Sequence, residues 1–244
     1  SLRAGVGEKL QPYVELAEFT INESLESILE GIWKRQPKVI GFSCYIWNWK
    51  LIREILTELP KILPDTEIWL GGPEVTYDGP GLLREFPQIT GIMVGEGEVT
   101  FREVLDPYVR ETETAGESEQ QPEPDSIEQQ AADRTGTVAG KSVAERFGQI
   151  SGLCLASGYT APRELTDLTT LPFLYEDMEP FTNRIIYYET SRGCPYRCSY
   201  CLSSIDKKVR LRDIDVVKRE LQFFLDQNVK QVKFIDRTFN FDHK

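Results

Sequence analysis

Histidine is almost missing from this 244-residue chain: one residue, His243, near the end. A metal site built on imidazole therefore has no ligand before position 243. Long apolar runs are missing too. None reaches the roughly 20 residues that cross a bilayer, and no signal peptide is recognisable, so the expectation is a soluble, cytoplasmic protein with no membrane partner. Positive charge is short, with 28 Lys+Arg against 39 Asp+Glu and a net charge of −11. Nonspecific nucleic-acid binding needs clustered positive charge, which argues against that partner. The G-x-G-x-x-G fingerprint is absent, so a dinucleotide is not favoured. No second C-x2-C unit accompanies the one at the C-terminal end, as a paired zinc site would require. The five cysteines read as free thiols in a reducing compartment rather than as a disulfide framework.

Three of those cysteines lie within eight residues of one another: Cys194, Cys198 and Cys201, in Ser191-Arg192-Gly193-Cys194-Pro195-Tyr196-Arg197-Cys198-Ser199-Tyr200-Cys201. The spacing is C-x3-C-x2-C. Most iron–sulfur electron carriers use four cysteines per cluster. Three thiolates on one loop can hold three irons of a [4Fe–4S] cube and leave the fourth open, which suits a cluster that does chemistry. A partial zinc site and an incidental grouping are the alternatives. Arg192 and Arg197 flank the loop, either to tune its charge or as solvated cations. Cys44 and Cys154 sit in apolar runs and read as core residues.

The first half alternates strand and helix. Tyr13–Phe19 is expected as a strand. Thr20-Ile21-Asn22-Glu23 forms a capping box before a helix carrying Leu25, Ile28, Leu29 and Ile32. Val39–Cys44 is a buried strand, and Ile52, Ile55, Leu56, Leu59, Ile62 and Leu63 mark one helix face. Glu67–Leu70 and Gly91–Val94 are further strands, the latter followed by a helix to about Tyr108. Such alternation predicts a Rossmann-like, doubly wound parallel sheet. Its strands end in Ser43-Cys44-Tyr45-Ile46-Trp47-Asn48, in Gly71-Gly72-Pro73-Glu74 and in Gly95-Glu96-Gly97-Glu98. All three would lie at the carboxyl edge, where open α/β sheets bind ligands. Tyr45, Trp47 and Trp49 either line that ligand or pack in the core.

From Glu111 to Phe147 there are nine acidic and three basic residues, six of the chain's eleven net negative charges. Apolar content there is too low to offset ordering entropy, so 112–148 is expected as a disordered linker after a 1–111 domain. A connecting segment, 149–183, begins with a short strand at Gly152–Leu155 and continues through Pro172 and Pro180. In the final region, 184–244, Arg184–Thr190 is a strand that runs into the cysteine loop. Asp213 caps a helix carrying Ile214, Val217, Leu221 and Phe224, and Gln231–Asp236 is the next strand. This is one βαβ unit, with too little core to stand as a domain. The expectation is a fragment of a longer protein.

At the cysteine loop the chain resembles the radical S-adenosylmethionine (SAM) superfamily, whose signature is C-x3-C-x-aromatic-C, with Tyr200 at the aromatic position. The loop strands of the first half resemble the cobalamin-binding domain that precedes the barrel in a large subgroup. Together they look like a B12-binding-domain radical SAM protein: a cobalamin-type sheet followed by the first βαβ unit of a (β/α) barrel. The resemblance implies a [4Fe–4S] cluster on Cys194, Cys198 and Cys201, with SAM on its open iron. Reductive cleavage of SAM to a 5′-deoxyadenosyl radical would serve methyl transfer to an unactivated carbon, or else a rearrangement or cyclisation. A non-catalytic Fe–S or zinc module remains the third alternative. Tyr200, Asp236, Arg237 and Thr238 are the implied SAM contacts. Ser43, Tyr45, Gly71, Gly72, Glu74, Gly95, Glu96 and Gly97 are the implied cobalamin contacts. The D-x-H-x-x-G motif is absent, so the corrin would be held without histidine. Asp236-Arg237-Thr238-Phe239 stands where the superfamily has Gly-Gly-Glu. The implied partners are an electron donor such as flavodoxin or ferredoxin and a small-molecule or peptide substrate.

Overall fold

The computed structural model describes residues 2–118, 141–201 and 208–239. They form two compact units, Leu2–Glu164 and a second from Leu165 onward.

In the first unit a short helix α1 (Leu2–Gly5) leads through a 3-10 turn at Gln11–Tyr13 to helix α2 (Leu25–Arg35). Then follow β1 (Val39–Ser43), α3 (Trp49–Ile62), β2 (Glu67–Gly71), α4 (Gly79–Glu85), β3 (Ile89–Met93), α5 (Gly97–Ser118), α6 (Val143–Phe147), β4 (Leu153–Leu155) and β5 (Gly158–Tyr159). The sheet runs in the order β1-β2-β3-β4-β5. β1, β2 and β3 are parallel, with Ser43 opposite Gly71 and Gly71 opposite Met93. β4 and β5 extend the sheet antiparallel. The α/β, parallel-rich architecture matches the expectation, while the sheet is mixed rather than wholly parallel.

Two-residue alternation sends side chains to opposite faces, and both faces are covered. Ile68, Leu70, Ile92 and Cys154 join Ile28 and Ile32 of α2, Ile52, Ile55, Leu56 and Leu59 of α3, and Leu82 and Leu83 of α4. Trp69, Met93, Leu153 and Leu155 point the other way, onto Val104 and Tyr108 of α5 and Phe147 of α6. Trp69 packs edge-on against Phe147 and donates its indole N–H to the Tyr108 hydroxyl at 2.8 Å. Full burial of one such side chain contributes on the order of 2–3 kcal/mol.

Several expectations change. Residues 13–19 form no strand in the described structure. Glu15 pairs with Arg35 at 2.7 Å, and the Phe19 ring lies where a Cβ on Gly31 would be, so the segment is pinned to α2 instead of a ladder. The Glu23 carboxylate does accept the Thr20 amide at 2.7 Å, but α2 starts later. Ser24 is its cap, accepting the Ser27 N–H, and Thr20 closes only a preceding turn. The expected linker 112–148 gives way to helix at both ends. α5 runs on to Ser118, and α6 opens with a full capping box between Ser142 and Glu145. Arg146 holds α6 in place through Glu67 at 2.6 Å and Glu111 at 3.1 Å, with its guanidinium over the Tyr108 and Phe147 rings. The remaining part of that stretch, 119–140, lies outside the described residues. The start of the expected connecting segment, with β4 and β5, belongs to the first sheet.

The second unit holds two 3-10 turns (Leu168–Thr170 and Glu179–Phe181), then β6 (Ile186–Tyr188), β7 (Ser191–Arg192), β8 (Arg210–Leu211), α7 (Ile214–Asp226) and β9 (Val232–Phe234). β6 and β9 pair in parallel, which with α7 makes the expected βαβ unit. Asp213 caps α7, accepting from the amides of Asp215 and Val216. The Pro-containing connection supplies part of the core. Phe173 and Tyr175 pack on Phe224, Phe181 packs on Tyr175, and Phe224 packs on Tyr188. β7 and β8 form a short antiparallel ribbon that brings together the two sides of the cysteine loop.

Candidate functional site

Parallel strands put all their carboxyl ends on one edge, so the three loops after β1, β2 and β3 line that edge of the first unit. Backbone contacts join the first two. The Cys44 N–H donates to Gly71 O at 2.7 Å, and the Glu74 N–H to Cys44 O at 3.3 Å. This approach requires Gly72: its φ is +109°, and a Cβ there would fall on the Cys44 carbonyl. Asn48 fixes the first loop by accepting the Tyr45 N–H at 2.8 Å and donating to Ser43 O at 2.9 Å. The third loop is set by the Val94 N–H donating to Gly152 O at 2.8 Å, and Gly97 starts α5.

Of the residues expected at this edge, Ser43 and Glu74 are exposed, Tyr45, Gly71 and Gly72 are half-buried, and Gly95, Glu96 and Gly97 follow β3 with Gly95 exposed. Tyr45 stacks on Trp47, ring centroids 4.5 Å apart and planes 9° from parallel. Ile46 is 79% exposed, Trp47 64% and Tyr77 60%. Ile46 and Tyr77, which composition did not single out, leave a large apolar rim uncovered. Buried beside it, the Cys44 thiol is pushed up to about 12 by desolvation. It is a core residue, as is Cys154, whose thiol burial also raises.

In the second unit, β6 delivers the chain into the cysteine loop through Glu189 and Thr190. Gly193 has φ +95°, and a Cβ there would meet the Lys208 carbonyl, so glycine is needed where the chain doubles back beside Cys194. The Cys201 N–H donates to Cys198 O at 3.1 Å, a tight turn that carries Tyr200, 91% exposed. None of the three cysteines is in a disulfide; Cys194 is half-buried and Cys198 and Cys201 are exposed. The hydroxyl of Thr238 lies 3.3 Å from Cys194 Sγ. That contact, with a backbone bond from Tyr196, holds the Cys194 thiol below its ordinary value. Among the described residues no three His, Cys, Asp or Glu side chains are grouped closely enough to hold a metal ion. Cys194, Cys198 and Cys201 share one loop, but their sulfur atoms do not converge here.

Asp236 stands differently from the sequence expectation. Its Oδ1 accepts the Thr190 N–H at 3.1 Å, the Thr190 hydroxyl at 2.6 Å and the Ser191 hydroxyl at 2.5 Å. That oxygen is committed to the chain's own strand ends, while Oδ2 is approached only by the Thr190 N–H at 3.3 Å. Arg237 is exposed. A second polar cluster lies behind: the Tyr188 hydroxyl donates to Glu220 at 2.5 Å, and Arg212 donates to Glu220 at 2.6 Å and to Leu171 O at 2.9 Å. Spacing alone did not reveal it, because its members are far apart in the chain. The polar Glu220 on the otherwise apolar face of α7 was the available signal.

Residues 4–105 match the B12 binding domain family. The match falls on the parallel-rich α/β part of the chain, and the βαβ unit with the cysteine loop follows it in sequence. Over most of its length the chain resembles cobalamin-dependent radical SAM proteins. It is 26% identical over 229 residues to a 2-(S-pantetheinyl)-carbapenam-3-carboxylate methyltransferase of Streptantibioticus cattleyicolor, covering 89% of this chain and 29% of that protein. It is 27% identical over 215 residues to the cobalamin-dependent radical SAM methyltransferase TokK of Streptomyces tokunonensis, covering 84% and 28%. Its fold is similar to that of OxsB, a cobalamin-dependent SAM radical enzyme, with TM-score 0.63 at 18% identity over 98% of this chain and 31% of that one. It is also similar to the radical SAM methyltransferase TsrM of Kitasatospora setae, with TM-score 0.57 at 18% identity over 90% and 40%. The chain thus spans under a third of the length of both curated relatives. No helix among the described residues is long and apolar enough to cross a membrane.

Proposed function

We propose that the protein takes part in cobalamin-dependent radical SAM chemistry, and that the reaction is methyl transfer to an unactivated carbon. The observation that carries this reading is the pairing, in one chain, of a B12-binding domain with a loop of three free thiols delivered by the first strand of a βαβ unit.

When bound, the [4Fe–4S] cluster would pass one electron to the sulfonium of SAM, releasing methionine and a 5′-deoxyadenosyl radical, while cobalamin supplies the methyl group. Cys194, Cys198 and Cys201 would hold the cluster; soft thiolates suit iron–sulfur sites. The loops after β1 to β3 would hold cobalamin. Gly71 and Gly72 let the backbone come close, Tyr45, Trp47 and Tyr77 offer apolar surface to the corrin, and Ser43, Glu74 and the Gly95–Gly97 turn offer polar groups. With no histidine before His243, these loops would hold the corrin through the backbone and side chains named rather than through an imidazole. The uncovered face of the β6–β9 pair, carrying Ile185, Tyr187, Lys233 and Ile235, would face the barrel interior. An external donor such as flavodoxin or ferredoxin would supply the electron.

The test is anaerobic reconstitution with iron, sulfide and cobalamin, followed by EPR of the reduced protein with and without SAM. A [4Fe–4S]⁺ signal that shifts with SAM and is lost in Cys198→Ala is the expected result, together with 5′-deoxyadenosine formation. Transfer of labelled methyl from SAM to product separates methylation from rearrangement. A reconstituted protein that binds neither cluster nor cobalamin would sink the reading.

A further inference from the structure

The Asp236–Thr238 segment after β9 stands where SAM's amino group was expected to be held. Its contacts lead elsewhere. Three donors from the entry to the cysteine loop converge on one Asp236 oxygen: the Thr190 N–H at 3.1 Å, the Thr190 hydroxyl at 2.6 Å and the Ser191 hydroxyl at 2.5 Å. Ser191 is buried and opens β7, whose partner β8 closes the far side of the loop. Two residues after Asp236, the Thr238 hydroxyl reaches Cys194 Sγ at 3.3 Å. The Ile235 N–H also donates to Tyr188 O at 2.9 Å. One short segment therefore grips the strand before the loop, the first residue of the ribbon, and the first cysteine.

We infer that Asp236 and Thr238 are positioning residues for the cysteine loop, Asp236 by fixing the path from Thr190 to Cys194 and Thr238 by hydrogen-bonding the Cys194 sulfur. The inference rests on the reading of that loop as a cluster site. Two consequences follow from the chemistry. Asp236 Oδ1, which already accepts three hydrogen bonds, has little capacity left for an ammonium group, and Oδ2 is approached only by the Thr190 N–H at 3.3 Å. Once Cys194 is a thiolate ligand it can only accept, so the Thr238 hydroxyl must donate. A donor to a cluster sulfur stabilises the more negative, reduced cluster and raises its potential.

The experiment uses the anaerobically reconstituted protein as wild type, Asp236→Asn, Thr238→Val and Thr238→Ser, with Cys198→Ala as a cluster-free control. It measures iron retention against a chelator, SAM affinity by EPR titration, and the midpoint potential of the cluster. Asp236→Asn should lose iron about tenfold faster than wild type, the scale of an outer-shell change, while the loaded fraction binds SAM with unchanged affinity. Thr238→Val should lower the potential and Thr238→Ser restore it. If Asp236→Asn keeps its iron, the clamp is overturned, whether SAM affinity is unchanged or weakened; weakened affinity would return Asp236 to SAM. If Asp236→Asn does not fold, the Thr238 pair decides, and an unmoved potential overturns the inference. Wild type that loads a cluster while the variants match it removes the inference alone. Wild type that takes up no cluster removes the reading beneath it and the inference together.

Discussion

The two units solve the same problem with different resources. The first buries both faces of a five-stranded sheet, one against α2, α3 and α4 and the other against α5 and α6, and leaves Ile46, Trp47 and Tyr77 exposed at the carboxyl edge, with Leu16 and Trp33 exposed elsewhere. The second has two two-stranded sheets and one long helix. It covers one face of the β6–β9 pair with aromatics drawn from the connecting segment, and leaves Ile185, Tyr187 and Ile235 exposed on the other. Parallel strands are normally covered on both sides. The first unit therefore rests on its core, whereas the second rests on polar fasteners: Asp236 to Thr190 and Ser191, and Glu220 to Tyr188 and Arg212. A large core allows a site to be made of loops that contribute little to stability. A small one makes the site's own hydrogen bonds part of what holds the fold.

The largest expected contrast is in thiol reactivity. Burial pushes Cys44 from 9.0 up to about 12, so its thiolate population at neutral pH is lower by about a thousandfold than that of an ordinary thiol. In the metal-free protein, iodoacetamide should label Cys198 and Cys201 and spare Cys44 and Cys154, as read by peptide mass mapping. The sign for stability follows. The folded state holds the Cys44 proton more tightly than the unfolded chain, so its contribution is full below pH 9 and is lost as pH rises toward 12. Rapid labelling of Cys44 in the folded protein would break the contrast.

Trp69→Ala should destabilise the first unit by about 3–5 kcal/mol, through lost burial and the cavity left against Phe147, measured by denaturant unfolding. Glu220→Leu should cost the second unit about 3 kcal/mol, because the buried Arg212 guanidinium and Tyr188 hydroxyl lose their partner. Equal tolerance of that change would mean that the second unit also rests on apolar packing. Gly72→Ala and Gly193→Ala each force a left-handed backbone on a side chain that meets a carbonyl, at a cost of about 1–3 kcal/mol. They should part in function: the first should lower cobalamin uptake, the second iron uptake, each followed by its own absorption spectrum. Trp47→Ala, at an exposed position, should change stability by less than about 0.5 kcal/mol yet weaken cobalamin binding. Unchanged binding would take Trp47 off the corrin.

Much of the first unit could be read from the sequence because its signals are local. Val39–Ser43, Trp49–Ile62 and Glu67–Gly71 fall within a residue or two of their apolar patterns, and the Asp213 cap needs only its own neighbours. The expected strand at 13–19 failed for a tertiary reason: Phe19 and Glu15 find partners on α2. The linker's edges failed because Arg146, one base in an acidic stretch, meets Glu67 and Glu111 from distant parts of the chain.

The sequence by itself determined the alternation of strands and helices, the glycines at strand ends and the spacing of Cys194, Cys198 and Cys201, since these depend on periodicity, backbone freedom and residue chemistry over a few positions. Only the tertiary structure decided that β4 and β5 close the first sheet antiparallel, that the proline-containing connection supplies part of the second core, and that Asp236 grips the cysteine loop's entry. The pairing of β3 with β4, the packing of Phe173 on Phe224 and the bond from Thr190 to Asp236 each join residues more than 40 positions apart, which no local pattern encodes.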